Sequence, residues 1–124
     1  MKPLTLTSIL ILFSSLVFTQ DKVVEPFLPQ IFSQFPNVRD IAISSAGDEI
    51  YFSVQSYADE VSFIAGAKRN NNKWSEPEIV NFSGKYFDIE PFLSADGLKL
   101  YFASNRPLDK AETKTKDFDI WYVQ

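Results

Sequence analysis

The sequence predicts an all-β protein, and three observations carry that expectation. Past residue 20, no segment keeps a sustained 3.6-residue apolar period. Short apolar runs instead alternate with turn signals at the spacing of about 8–12 residues typical of all-β chains. Two stretches, IAISSAGDEIYFSVQS at 41–56 and FLSADGLKLYFASNRP at 92–107, also share one strand–turn–strand shape.

Each element follows from local chemistry. Val23–Leu28 holds Pro26 and is followed by Pro29; missing N–H donors suit an edge strand. Asp40–Ser44 is rich in Ile and reads as a strand, and Ser45-Ala46-Gly47-Asp48 as a turn in which Gly supplies positive φ. Glu49–Val54 continues as a strand packed on both faces, and Glu60–Ala67 as a third. Asn70, Asn71 and Asn72 tolerate the left-handed region and make a polar turn, after which Trp74–Val80 forms a fourth strand. The cycle then restarts: Ile89–Ser94, a turn at Ala95-Asp96-Gly97, Leu98–Ser104, a polar loop over Leu108–Lys116, and a closing strand at Phe118–Val123.

An internal repeat organises these strands. At an offset of fifty, Ser44/Ser94, Gly47/Gly97, Tyr51/Tyr101 and Phe52/Phe102 are identical, and Asp40/Glu90, Ile43/Leu93, Ile50/Leu100 and Gln55/Asn105 are alike in chemistry. Glu25-Pro26-Phe27-Leu28 echoes Glu76-Pro77-Glu78-Ile79 at an offset of fifty-one. A four-stranded period near 50 residues is a propeller-blade period. The expected units span about 37–84 and 85–124, each taking its outer strand from the preceding connection, with a strand or linker over 20–36.

The N-terminus reads as an export signal over residues 1–19. Lys2 precedes an uncharged, mostly apolar stretch from Leu4 to Phe18. That length of helix spans roughly 22 Å, short of a hydrocarbon core of about 30 Å. A periplasmic or secreted location is expected, without membrane insertion once the signal is cleaved; an uncleaved anchor is the alternative.

Charge and composition exclude several functions. The net charge is −4 and no Lys/Arg run exists, which disfavours nucleic-acid phosphates and anionic membranes as partners. Cysteine and histidine are both absent, so disulfides and thiolate sites are ruled out and the usual general base is missing. Ser-Ala-Asp-Gly at 94–97 lacks the G-x-S-x-G elbow. No catalytic residue and no cofactor is expected. Asp88, Glu90, Asp117 and Asp119 could ligate a cation, but calcium needs six to eight oxygens from a dense loop. The preferred reading has them accept N–H groups at strand starts or pair with Arg106. Asn105-Arg106 could grip a partner's carboxylate; the structural alternative ties Arg106 to a neighbouring acid, Asp119 in the first instance. Trp74, Tyr86, Phe87 and Trp121 read as core in preference to a stacking platform.

FLSADGLKLYFASNRP followed by DFDIWYV resembles the WD40-like propeller repeat called PD40, found in TolB-type periplasmic proteins. Phe92, Ser94, Asp96, Gly97, Leu100, Phe102, Ser104, Asn105, Arg106, Asp119, Ile120 and Trp121 fit that pattern, with Ala95 where Pro is usual; Tyr101 recurs with the repeat. The first unit departs, with Ala46-Gly47 for Asp-Gly and Val54-Gln55-Ser56 for Ser-Asn-Arg. The resemblance implies two four-stranded antiparallel blades and a non-catalytic module binding envelope proteins or peptides, with Asp88, Glu90 and Arg106 as partner-binding residues. The alternative it implies is the propeller piece of an exported prolyl-oligopeptidase-type hydrolase without its catalytic domain. Propellers use four to eight blades, so two leave apolar faces open to water. The chain is then part of a longer propeller, a homo-oligomer completing one, or a small sandwich.

Overall fold

The computed structural model of the chain describes residues 22–124; the expected leader over 1–19 lies outside them. The described residues are nearly all β. One helical turn, α1 (Pro29–Phe32), precedes eight strands: β1 (Val38–Ile43), β2 (Glu49–Gln55), β3 (Ser62–Asn70), β4 (Lys73–Trp74), β5 (Glu78–Ile79), β6 (Asp88–Leu93), β7 (Leu100–Ser104) and β8 (Asp119–Val123).

The strand expected at Val23–Leu28 does not form. Leu28 turns left-handed at φ 43, and its carbonyl accepts N–H bonds from Ile31 at 2.9 Å and Phe32 at 3.2 Å. Pro29, at the first helical position where a missing N–H costs nothing, starts α1. The fourth strand also divides. Ser75-Glu76-Pro77 separates β4 from β5, because Pro77 cannot donate to a ladder.

The hairpins β1–β2 and β6–β7 share one register, shifted by fifty residues throughout. Val38 faces Val54 as Asp88 faces Ser104, and Ala42 faces Tyr51 as Phe92 faces Tyr101. Both carry a β-bulge at the same point. Asp40 and Ile41 oppose Phe52 alone, and Glu90 and Pro91 oppose Phe102 alone. Asp40 and Glu90 take φ values of 54 and 56, while Gly47 and Gly97 turn their hairpins at 68 and 72. Ser45 Oγ donates to Ala95 O at 3.1 Å, so the two turns lie side by side.

The strands assemble into two open antiparallel sheets, of five and three strands. The first runs β1-β2-β3-β4, with β5 also on β3; the second runs β6-β7-β8. This corrects the expectation of two four-stranded units. Glu78–Ile79 pairs with the strand before it, so it completes the first sheet and leaves the second with three strands.

The first sheet is covered on both faces. Ile50, Phe52, Val54, Ala65 and Ala67 form one buried face with Ile31. Phe32 meets Phe52 edge-on at 5.0 Å and Phe35 does so at 5.6 Å. The opposite face packs on the second sheet through β6. Glu90 N donates to the buried Ser53 hydroxyl at 3.0 Å, and Ser62 Oγ donates to Asp88 O at 2.8 Å. Buried polar groups need such partners, which is why serines occupy these inward positions.

Candidate functional site

Arg106 and Asp88 sit at the seam between the sheets. Asp88 is fully buried at 0% exposure, on the first position of β6. Its Oδ1 accepts a bond from Arg106 Nη2 at 2.8 Å, and its Oδ2 accepts one from Ser83 Oγ at 2.6 Å. Arg106 Nη2 also donates to Phe82 O at 3.1 Å, and Nε donates to Ser104 Oγ at 2.9 Å. The guanidinium lies over the rings of Phe102 at 4.7 Å, Tyr86 at 5.5 Å and Trp121 at 5.6 Å. A buried charge survives only when paired and hydrogen-bonded, and each group here meets that condition. Arg106 pairs with Asp88 and not with Asp119, which is exposed in β8 opposite Ser104.

The other residues singled out in the sequence divide between turn, seam and open face. Ser94 Oγ donates to Asp96 Oδ1 at 2.6 Å, and Leu98 N donates to the same oxygen at 3.1 Å. These bonds hold the Asp96 carboxyl below its ordinary value, the Ser94 hydroxyl contributing most. Asn105 Oδ1 accepts from Phe87 N at 3.0 Å, tying the end of β7 to the approach to β6. Phe102 stacks on Phe82 at 5.0 Å, Trp121 is half-buried with its Nε1 unpartnered among the described residues, and Asp117 is exposed. Trp74 packs on the first-sheet core, whereas Phe87 meets Phe118 at 5.8 Å. The four aromatics Trp74, Tyr86, Phe87 and Trp121 therefore do not converge on one platform.

A groove of about 600 Å³ opens beside the two bulges, lined by Asp40, Glu90, Phe92, Tyr101 and Ile120 among others. It runs onto the face of the second sheet that turns away from the first. Phe92, Tyr101 and Tyr122 stand in register across β6, β7 and β8, with Ile120 on the same side of β8. Phe92 is 66% exposed, Ile120 71% and Tyr122 55%. At the groove's mouth Asp40 pairs with Arg39 at 3.0 Å, while Glu90 places a second carboxylate at the equivalent bulge.

On the first sheet, Lys68 Nζ lies 2.6 Å from Glu49 Oε1, and Tyr51 OH donates to Glu49 Oε2 at 3.1 Å. Burial, then the Glu49 charge, pushes the Tyr51 phenol up; the hydrogen bond to Glu49 raises Lys68. Among the described residues no group of three or more acids is arranged to hold a metal ion, and no helix is long and apolar enough to cross a membrane.

Sequence reading missed Ser53, Ser62, Ser83 and Ser104 as the polar stitches of the seam. For Ser53, Ser62 and Ser104 a signal was available, since each is a serine where strand alternation calls for an apolar side chain; Ser83 lies in the connection before β6 and has no such signal. The class defined by the fold is a pair of packed, open antiparallel sheets with one apolar face left unpartnered among the described residues. No family model matches the chain, and no curated protein or solved structure matches it either.

Proposed function

We propose that the chain is a non-catalytic, exported binding module of TolB-like propeller type, built from two repeat units and acting by protein–protein contact in the cell envelope. The observation that carries this reading is the open face of the second sheet. Phe92, Tyr101, Ile120 and Tyr122 form a contiguous apolar surface beside the carboxylates of Asp40 and Glu90. Rings of this kind, rimmed by charge, are what protein interfaces are made of. The shared register and bulge of the two hairpins support reading them as repeat units. Arg106 and Asp88 hold the scaffold; of the residues expected to meet a partner, Glu90 is the one that borders the groove.

Site-specific photocrosslinking in the producing cell tests this. A photoreactive side chain at Phe92 or Ile120 is expected to give a discrete adduct with an envelope protein or peptide, while the same group at Glu112, on the remote loop, gives none. Equal labelling at all three positions, or none at the face, would contradict the proposal.

A further inference from the structure

We propose that β8 of one copy takes the Val23–Phe27 segment of a second copy as an added outer strand. This rests on the reading of the chain as an incomplete set of sheet units. The comparison of the two sheets motivates it. In the first, β3 is flanked on its far side by Glu78–Ile79, with Gly66 opposite Glu78. In the second, the strand in the same place, β8, is the outermost among the described residues. Its outward N–H and C=O groups are a template for another extended chain.

The sequence supplies a segment of matching kind. Glu25-Pro26-Phe27-Leu28 repeats the pattern of Glu76-Pro77-Glu78-Ile79, the stretch that contains β5. The segment Val23–Phe27 is in neither helix nor strand and is exposed, Val24 to 94%. Pro26 is no obstacle, because an outermost strand donates from only one side. Gly66 and Tyr122 occupy equivalent positions, opposite Tyr51 and Tyr101 respectively. Carrying the β3–β5 register across therefore puts Phe27 opposite Tyr122, an aromatic cross-strand pair. Lys99 Nζ, 4.8 Å above the Tyr122 ring, supplies a counter-charge for Glu25 at that edge.

The donor has to be another molecule. Leu28, Ile31 and Phe32 anchor the segment's far end against the Phe52 face of the first sheet. The second sheet lies on the opposite face, reached through Ser53 and Ser62. Five extended residues span roughly 17 Å, too little to pass around the first sheet to the chain's own β8. Donation is thus head-to-tail and, repeated, builds a ring or a filament.

The absence of native cysteine makes the test clean. Protein recovered after export is prepared as Phe27→Cys and as Tyr122→Cys, and oxidised separately and mixed. The mixture is expected to give on the order of tenfold more disulfide-linked dimer than either variant alone, since pairing raises the local thiol concentration. Light scattering of the unmodified protein should report a mass above one chain, falling on addition of excess peptide spanning residues 22–28. Self-linking of Phe27→Cys alone, an intrachain link in the double variant at high dilution, or a single-chain mass at every concentration would each overturn the proposal. So would growth in mass only when a different protein is added. Crosslinking at Phe92 to an envelope protein is read separately, so that either idea can fail without the other.

Discussion

The two hairpins have one backbone and two solutions to the same corner. At the open end of the first hairpin, Val38 faces Val54, and both pack with Ile31, Phe32 and Phe35 in the first-sheet core. Fifty residues on, Asp88 faces Ser104, and Arg106 reaches across to Asp88 at 2.8 Å. The first corner is stabilised by apolar burial at about 25 cal/mol per Å². The second relies on charges that are tolerable only while every partner is present. Hairpin register is therefore set by turn and bulge, and the filling of the corner can change chemistry without moving the strands.

That contrast is broken most forcefully by removing one charge. Asp88→Ala strands the Arg106 guanidinium at the seam and is expected to cost about 3–5 kcal/mol. Val38→Ala, at the matching half-buried position, is expected to cost about 1 kcal/mol. Urea unfolding of both variants measures the difference; equal losses would contradict the account of the seam. Converting the second corner toward the first sharpens the same point. The triple variant Asp88→Val, Ser104→Val, Arg106→Ser removes both charges together, so it should lose less stability than Asp88→Ala alone. A triple variant less stable than the single one would show that the ion pair contributes more than its own satisfaction.

The turns make a comparison in which no difference is expected. Gly47 and Gly97 sit at φ 68 and 72, and an added Cβ would meet only Arg69 Nη2 at 3.9 Å in the first and nothing within 4 Å in the second. Each Gly→Ala change should thus cost the backbone strain alone, about 1–2 kcal/mol. Markedly unequal thermal shifts for the two would mean that the turns are not alike.

The smallest effect concerns pH. Lys68 and Tyr51 both titrate above their ordinary values of 10.5 and 10.0 because of Glu49 and, for Tyr51, burial first. A raised folded-state value means their contribution is complete below about pH 10 and is lost as pH rises through the folded values. Lys68 is largely exposed, so Glu49→Gln should flatten the alkaline loss by less than about 1 kcal/mol. Denaturation midpoints at pH 8 and pH 11 measure it. Asp96 acts in the opposite direction: its lowered value adds stability above the ordinary 3.8 that fades as pH falls, through a fully exposed turn.

Both hairpins were legible in the sequence because glycine at positive φ and strand alternation are local signals. The bulges were not, since Asp40 and Glu90 hold left-handed backbone without being glycine; the ladder on either side, not the residue, imposes that conformation. The prolines at 26 and 29 pointed to an edge strand, yet Pro29 begins a helical turn whose apolar side chains meet Phe52. The choice between those outcomes is tertiary. Asp119 looked like the partner of Arg106 because it closes the same sheet, whereas Asp88 wins by being buried beside Ser83 and Ser104. No sequence pattern marks which acid the fold will bury.

Native-state amide hydrogen exchange tests the central contrast between a sheet covered on both faces and one open on a face and an edge. At a dilution where light scattering reports single chains, the β3 amides bonded to β2 should exchange only through global unfolding. The β8 amides that point away from β7 should exchange orders of magnitude faster. Equal protection of β3 and β8 under those conditions would contradict the account.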